Sequence, residues 1–286
     1  YEIIIGDDCS NDNSREICLQ YSEKYPDIIK LIFHKKNMGV GGNFATCSRA
    51  AEGKYIAICA ADDFWHNRRK LQLQVDFMEE NLEFGLLYTD YNKLNISNDK
   101  LIENYLKKSG ISIYEGTGLI NEIFTGKVPI LTLTVMFRKI LFDKYIPVND
   151  YIKFRFSLED WPTWLILSKY TSIGYLPVST ATYLFGHESI TNPISYEKIE
   201  KRLENEHIMF KYLCDMFPSE LKYNEIDYRI YMYGIYLNLA YKKIDYLAAK
   251  KYASVLIGLN ASNWKIKMTR TYFTFHLFAS LKYIKK

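Results

Sequence analysis

The sequence predicts an α/β protein: a mostly parallel sheet flanked by helices, followed by a helical C-terminal extension. Three observations carry that prediction. From Ile3 to Thr89, short apolar runs alternate with segments of helical period. Those runs are apolar at consecutive positions, as strands covered on both faces are. From about Ser195 the chain becomes continuously helical and rich in Tyr and Lys.

The elements follow in order. Ile3, Ile4 and Ile5 form a β-branched run ending at Gly6. Cap formers from Ser10 to Ser14 precede Ile17, Tyr21 and Tyr25 at helical spacing. Ile28 to Phe33 reads as the second strand. Gly39, Gly41 and Gly42 lead into a helix with Phe44, Cys47 and Ala51 on one face. Tyr55 to Ala60 is the third strand, a helix aligning Leu71, Val75 and Met78 follows it, and Gly85 to Thr89 is the fourth. Asn92 to Ile113 is a polar excursion. A helix near Gly118 to Phe124, a strand over Leu131 to Phe137, a helix opening at Trp161 and two short strands between Ser172 and Phe185 complete the first part. A domain boundary is expected at 194/195, giving an α/β domain over 1–194 and a helical region over 195–286. Right-handed crossovers bring the strand C-termini of such a sheet to one edge, where ligands bind.

Composition narrows the function classes. With 48% hydrophobic and 24% charged residues, the chain is in the globular range. A net charge of +4 does not by itself imply nucleic acid, and no nucleic-acid motif is present. Cys9, Cys18, Cys47, Cys59 and Cys214 are odd in number and contain no CxxC, against a disulfide framework or structural zinc. No run approaches the ~20 apolar residues of a membrane-spanning helix. The expectation is a cytoplasmic protein. Because the sequence opens at Tyr1 inside a strand pattern, it also reads as a piece of a longer polypeptide. GxxxxGK[ST] is absent, and the glycines at 39, 41 and 42 make no GxGxxG, which excludes a P-loop and gives a dinucleotide fold little support.

Acidic pairs mark the strand ends. Asp7 and Asp8 close the first strand, and Asp62 and Asp63 follow the third. Carboxylates just past buried strands need a cationic or hydrogen-bonding partner. Helix capping by Asp8, Ser10 and Asp12 is the plain alternative for the first pair. Adjacent acids in extended chain point in different directions, so one can meet a sugar hydroxyl while its neighbour holds a cation that arrives with a diphosphate.

The residues Tyr1 to Asp12 (YEIIIGDDCSND), Asn37 to Phe44 (NMGVGGNF) and Ala61 to Trp65 (ADDFW), with Lys70 to Gln74 (KLQLQ), resemble family 2 glycosyltransferases of the GT-A fold over about residues 1 to 190. The resemblance implies an inverting, metal-dependent enzyme that takes a nucleotide-sugar, a UDP-sugar favoured, and a glycan or lipid-linked acceptor in surface polysaccharide synthesis. It places Asp7 at the nucleobase with Asp8 adjacent, Asp62 at the ribose, and Asp63 on Mn²⁺ or Mg²⁺. The sequence departs from the pattern at Ala60, where many members carry an acid, and lacks the family's first strand ahead of Tyr1.

Leu158-Glu159-Asp160-Trp161-Pro162 opens a helix with an acidic pair. Alone, this is ordinary helix-start chemistry. The resemblance makes Asp160 the catalytic base, with Glu159 orienting the acceptor. It also marks His187, in Tyr183 to Thr191, as a diphosphate or metal contact, although Leu184 stands where an Arg is common. Arg138, after the strand over 131–137, and Asp90, after the fourth strand, become acceptor-site candidates; a surface ion pair and a turn residue are their plain readings. The tail from Trp264 to Lys286 combines aromatics with six cations and no acid, which suits peripheral contact with an anionic membrane at its inner face; a helix packing its aromatics on the main domain, with solvated lysines, is its plain reading. Two rival functions stand beside the transferase: a non-catalytic nucleotide-sugar-binding module and a sugar-nucleotide nucleotidyltransferase.

Overall fold

The architecture was read from a computed structural model, which describes residues 1–128, 130–186, 195–222 and 224–259. The chain divides into two compact units, Tyr1–His187 and Glu188–Lys286.

In the first unit, strand β1 (Ile3–Asp7) runs parallel to β2 (Ile29–Phe33), with Asp7 opposite Phe33. Helix α1 (Ser14–Lys24) connects them. Its Ile17–Tyr21–Tyr25 stripe is exposed, and the inner face is the neighbouring row of Ser14, Cys18 and Ser22. Helix α2 (Val40–Ala50) buries Gly41, Gly42, Phe44, Ala45 and Ser48. Helix α3 (Lys70–Glu80) buries Lys70 and Gln74 in line with Met78, two polar side chains where periodicity sought apolar ones.

The second sheet combines β3 (Tyr55–Ala57), β4 (Phe84–Asn95), β5 (Lys100–Ile102), β6 (Met136–Arg138) and β7 (Ser172–Phe185). Its order is β3-β6-β4-β5, with β7 on β4. The expected mostly parallel sheet is instead mixed. β4/β7 and β1/β2 are parallel, whereas β3/β6, β4/β6 and β4/β5 are antiparallel. The polar excursion after residue 90 is partly strand: β4 continues to Asn95 and turns back into β5. The two strands expected over 172–185 are one. The register jumps from Thr89–Leu176 to Asp90–Ser179, so Pro177 and Val178 fall in a bulge. There the missing proline N–H costs no ladder bond.

Short helices α4 (Tyr105–Ser109) and α5 (Ile120–Phe124) lead to a 3₁₀ turn at Thr132–Thr134. This turn replaces the first half of the strand expected over 131–137. Thr134 donates both its N–H (2.9 Å) and its hydroxyl (2.7 Å) to the Leu131 carbonyl, closing the turn before β6 starts. Helices α6 (Lys139–Tyr145) and α7 (Val148–Phe154) then precede α8 (Asp160–Tyr170), which is buried continuously from Pro162 to Ser168. The core lies between α8, β4 and β6. Phe44, Phe142, Phe137 and Trp164 form an aromatic chain with centroids 5.6–5.7 Å apart.

The second unit contains α9 (Tyr196–Met216), α10 (Glu225–Lys242) and α11 (Tyr246–Gly258). Each has a side-chain N-cap, from Ser195, Asn224 and Asp245 respectively. Leu237, Ala240, Ala249, Ala253 and Leu256 pack α10 on α11, and Tyr236 stacks on Tyr252 at 5.0 Å. No helix among the described residues is long and apolar enough to cross a membrane. The basic aromatic tail from Trp264 lies outside the described residues.

Candidate active site

The end of β1 is built around two carboxylates with different duties. Asp7 is buried, 5% exposed. It accepts from the Ser10 N–H at 3.3 Å and pairs with Arg15, whose guanidinium also donates to the His34 carbonyl at 2.8 Å. Burial works to raise the Asp7 carboxyl, but Ser10 and Arg15 outweigh it and hold the group below its ordinary value. Asp8 does not cap α1. Its two oxygens accept the Met38 N–H (2.6 Å) and the Gly39 N–H (2.8 Å), while Asn37 donates to its carbonyl at 3.2 Å. Gly39 has φ +77°, a left-handed conformation that glycine adopts without strain.

This stapled loop is bonded to the segment just ahead of Glu159 and Asp160. Arg155 donates to the Asn37 carbonyl and side chain at 3.3 Å, and the Gly41 N–H donates to the Phe156 carbonyl at 3.2 Å. Phe156 lies three residues before Glu159. The loop from β1 is therefore bonded directly to the segment that launches α8.

The loop after β3 carries Asp62, which is exposed, and Asp63, which is partly buried. Asp63 accepts the Leu184 N–H at 2.9 Å. The following residues are strapped onto β7. Phe64 bridges Thr182, and the two nitrogens of His66 lie 2.9 Å from the Thr182 hydroxyl and 3.2 Å from the Ser179 carbonyl. Trp65 turns the other way and donates its indole N–H to the Leu133 carbonyl at 3.0 Å.

Glu159 and Asp160 sit at the start of α8. Glu159, the N-cap, makes no side-chain cap bond. Asp160 accepts the Thr132 hydroxyl at 2.8 Å and the Trp161 N–H at 2.6 Å. Both residues keep an accessible edge, but protein crowds the carboxyls on most sides. This burial, with Asp160 alongside, pushes Glu159 up to about 8. It raises Asp160 as well, against the opposing Thr132 and Trp161 bonds. A carboxylate destabilised in this way is a competent proton acceptor near neutral pH.

The fold thus ties Asp8 to the approach of α8 through residues 37–41, and it ties the 62–65 loop to Asp160 through the Thr132–Thr134 turn. Asp90 and Arg138 are engaged elsewhere. Asp90 is 2% exposed and accepts the N–H groups of Tyr91, Leu106 and Lys107, which fixes the start of α4. Arg138 donates to the carbonyls of Phe84, Met78 and Asn81 and to the Tyr55 hydroxyl, clamping β6 against α3 and β4. In this structure their polar groups serve the sheet and the start of α4. His187 lies outside the described residues. Sequence reasoning missed Thr132, Arg15 and Lys70. The Lys70–Gln74 pair, spaced i,i+4 on the stripe of Met78, is the signal that could have exposed the last.

No group of three or more His, Cys, Asp or Glu among the described residues could hold a metal ion by itself. Asp62 and Asp63 instead offer the donor set suited to a cation that shares its coordination with a ligand's phosphates.

The Glycosyl transferase family 2 model matches residues 1–143, half of the chain. A Mycobacterium bovis protein of uncharacterised role is 38% identical over 82 residues, 29% of this chain and 24% of that protein. The match thus spans about a quarter of that relative's length. The Escherichia coli glucosyltransferase WfgD, named for transfer from UDP-glucose to diphosphoundecaprenol-linked GlcNAc, is 23% identical over 80% of this chain and 85% of its own. Among solved structures, Staphylococcus aureus TarS in complex with UDP aligns at TM-score 0.50 and 19% identity, covering 97% of this chain and 82% of that one. That likeness concerns the fold. With its strand-end acids, its mixed α/β sheet and a family match over half its length, the chain belongs to glycosyl transferase family 2.

Proposed function

We propose that the chain carries the catalytic unit of an inverting glycosyltransferase. It would move a sugar from a nucleotide-sugar, most suitably a UDP-sugar, to a glycan or lipid-linked acceptor in surface polysaccharide synthesis. The observation that carries this reading is a pair of tethers: the Asp8 loop is bonded to residues 155 and 156, just ahead of Glu159, and the 62–65 loop is linked to Asp160 through the Thr132–Thr134 turn.

Asp160 would take the proton of the acceptor hydroxyl. The acceptor oxygen then bonds to the anomeric carbon as the bond from that carbon to the diphosphate oxygen breaks, its electron pair leaving on the diphosphate. One displacement inverts the configuration and needs no carboxylate nucleophile. Asp62 would meet the ribose and Asp7 the nucleobase, with Arg15 holding Asp7 in place. Asp8 would contribute by holding the 37–41 loop. Asp63 would hold Mn²⁺ or Mg²⁺, which would supply charge neutralisation at the diphosphate. The same reading takes residues 1–194 as the catalytic domain and places the protein at the cytoplasmic face of the membrane.

A non-catalytic nucleotide-sugar-binding module is the second reading, favoured by the Thr132 hydroxyl and the Trp161 N–H, which already engage the Asp160 carboxylate. Donor turnover separates the two. With Mn²⁺ and a panel of UDP-, GDP- and dTDP-sugars, the wild type should release nucleoside diphosphate, and Asp160→Asn should abolish release while still binding donor. Equal release by Asp160→Asn would overturn the base assignment. Donor binding without release by the wild type, acceptors supplied, would favour the binding module.

A further inference from the structure

Three consecutive residues of the 3₁₀ turn each hold a different part of the candidate site. The Thr132 hydroxyl donates to Asp160 at 2.8 Å. The Leu133 carbonyl accepts the indole N–H of Trp65, two residues past Asp63, at 3.0 Å. The Thr134 carbonyl accepts the Lys70 ammonium at 3.2 Å and the Gln74 amide at 2.9 Å, both from the helix that follows the acidic loop.

Lys70 and Gln74 are 1% and 0% exposed. A buried lysine loses hydration that only good acceptors can replace. Here those are the Gln74 side-chain oxygen at 2.5 Å and the Thr134 carbonyl, with the Trp65 ring 5.2 Å from the ammonium. A leucine or methionine would fill the same stripe of α3 without that cost, but would leave the Thr134 carbonyl with one donor fewer. The polar pair fixes where the turn stands, and the turn in turn fixes Trp65 and Asp160.

We infer that Thr132 is a positioning residue for Asp160, and that the turn it belongs to, anchored by Lys70 and Gln74, sets the placement of Asp160 relative to the Asp62–Asp63 loop. The inference rests on the proposed transferase reading, in which Asp160 is the base. Hydrogen bonding from the hydroxyl favours the ionised carboxylate, so its removal should raise the Asp160 ionisation midpoint. Glu159 is the adjacent titratable carboxyl, and the charge of Asp160 helps to raise it. The elements packed against α8, namely α5, α6 and β4, carry Glu122, Lys139, Asp143, Lys144, Asp90 and Lys93. None of these contributes to the shift at Asp160, and the turn itself brings no charged side chain.

The test compares Thr132→Val, which keeps the shape and removes the hydroxyl, with Thr132→Ser, which keeps the hydroxyl. Carboxyl-carbon NMR titration of the full chain should show the Asp160 midpoint rising by roughly 0.5–1 pH unit in Thr132→Val, the worth of one net hydrogen bond. Thr132→Ser should restore it. In donor turnover, Thr132→Val should lower kcat about tenfold, move the acid limb upward by the same interval, and leave the donor KM unchanged. An unchanged midpoint and pH profile in Thr132→Val, with Asp160→Asn inactive, would overturn the positioning role and leave the transferase reading standing. An active Asp160→Asn would overturn the reading itself, whatever Thr132→Val does. Lys70→Met gives a second readout. The midpoint should move in the same direction as in Thr132→Val, and a wild-type midpoint in a folded Lys70→Met protein would remove the anchor from the account.

Discussion

Replacing Asp8 by alanine should loosen the loop that joins the end of β1 to the approach of α8. Two bonds are lost together, from the Met38 N–H at 2.6 Å and the Gly39 N–H at 2.8 Å, both in a partly buried setting. Bonds to a carboxylate contribute roughly 1.5–3 kcal/mol each when water cannot substitute. Partial access lets water recover part of that, so the expected loss is ~2–3 kcal/mol. In a unit of this size that corresponds to a fall in Tm of roughly 5–10 °C. Asp8→Asn keeps one oxygen acceptor and should lose about half as much. The assay is far-UV circular dichroism of the full chain in thermal and urea melts. Asp12→Ala is the control: Asp12 is exposed, its contacts are local ones such as the Ser14 N–H, and its removal should leave the melt nearly unchanged. If Asp8→Ala melts with the wild type, Asp8 is not the staple, and its carboxylate is available for the ligand contact that the sequence suggested.

Two further predictions concern the α8 end of the site. Glu159 is raised from its ordinary 4.5 to about 8, so between those values the folded chain binds more protons than the unfolded one. Stability should therefore fall as pH rises through that window and be fully reduced above it. At ~1.4 kcal/mol per pH unit, and with the effect shared across a coupled pair, this amounts to ~2 kcal/mol. Glu159→Gln should flatten the slope and be the more stable protein at pH 8.5 in urea titrations; a wild-type slope in the variant would contradict the assignment. A Cβ on Gly41 would lie 2.8 Å from the Phe156 carbonyl oxygen, so Gly41→Ala should cost roughly 1–3 kcal/mol in the same titrations, and an unaltered midpoint would show that α2 and the 155–156 segment are not in close contact.

The parts of the fold that were legible in sequence are those whose residues answer to a local rule. Ile3 to Ile5, the Gly39–Gly42 entry to α2 and the Leu71–Val75–Met78 stripe gave strands and helices near their observed places. What failed depends on partners far along the chain. Nothing local shows that β4 runs on past Thr89; it does so because β7 supplies a parallel partner from Ser179 to Phe185. Where two short strands are expected over 172–185, a bulge at Pro177 and Val178 lets one strand run through. Periodicity picks out Leu71, Val75 and Met78 because it ranks residues by apolarity, and so passes over Lys70 and Gln74, whose burial depends on the Thr134 carbonyl. The candidate site divides in the same way. The acidic motifs were visible as motifs, but whether each carboxylate meets a ligand or a backbone N–H is settled by tertiary contacts. Asp8 and Asp90 accept backbone N–H groups, while Asp160 accepts one such group, from Trp161, and the hydroxyl of Thr132, in a turn that lies where a strand is expected.

The central claim is that the strand-end acids form one site for a nucleotide-sugar carried with a divalent cation. Isothermal titration of UDP into the full chain, with Mn²⁺ or with EDTA, addresses it most directly when wild type and Asp63→Ala are compared. The account predicts saturable binding that requires Mn²⁺ and weakens at least tenfold in Asp63→Ala. Binding that is indifferent both to the cation and to Asp63, or no binding of UDP, GDP or dTDP by the folded protein, would contradict it.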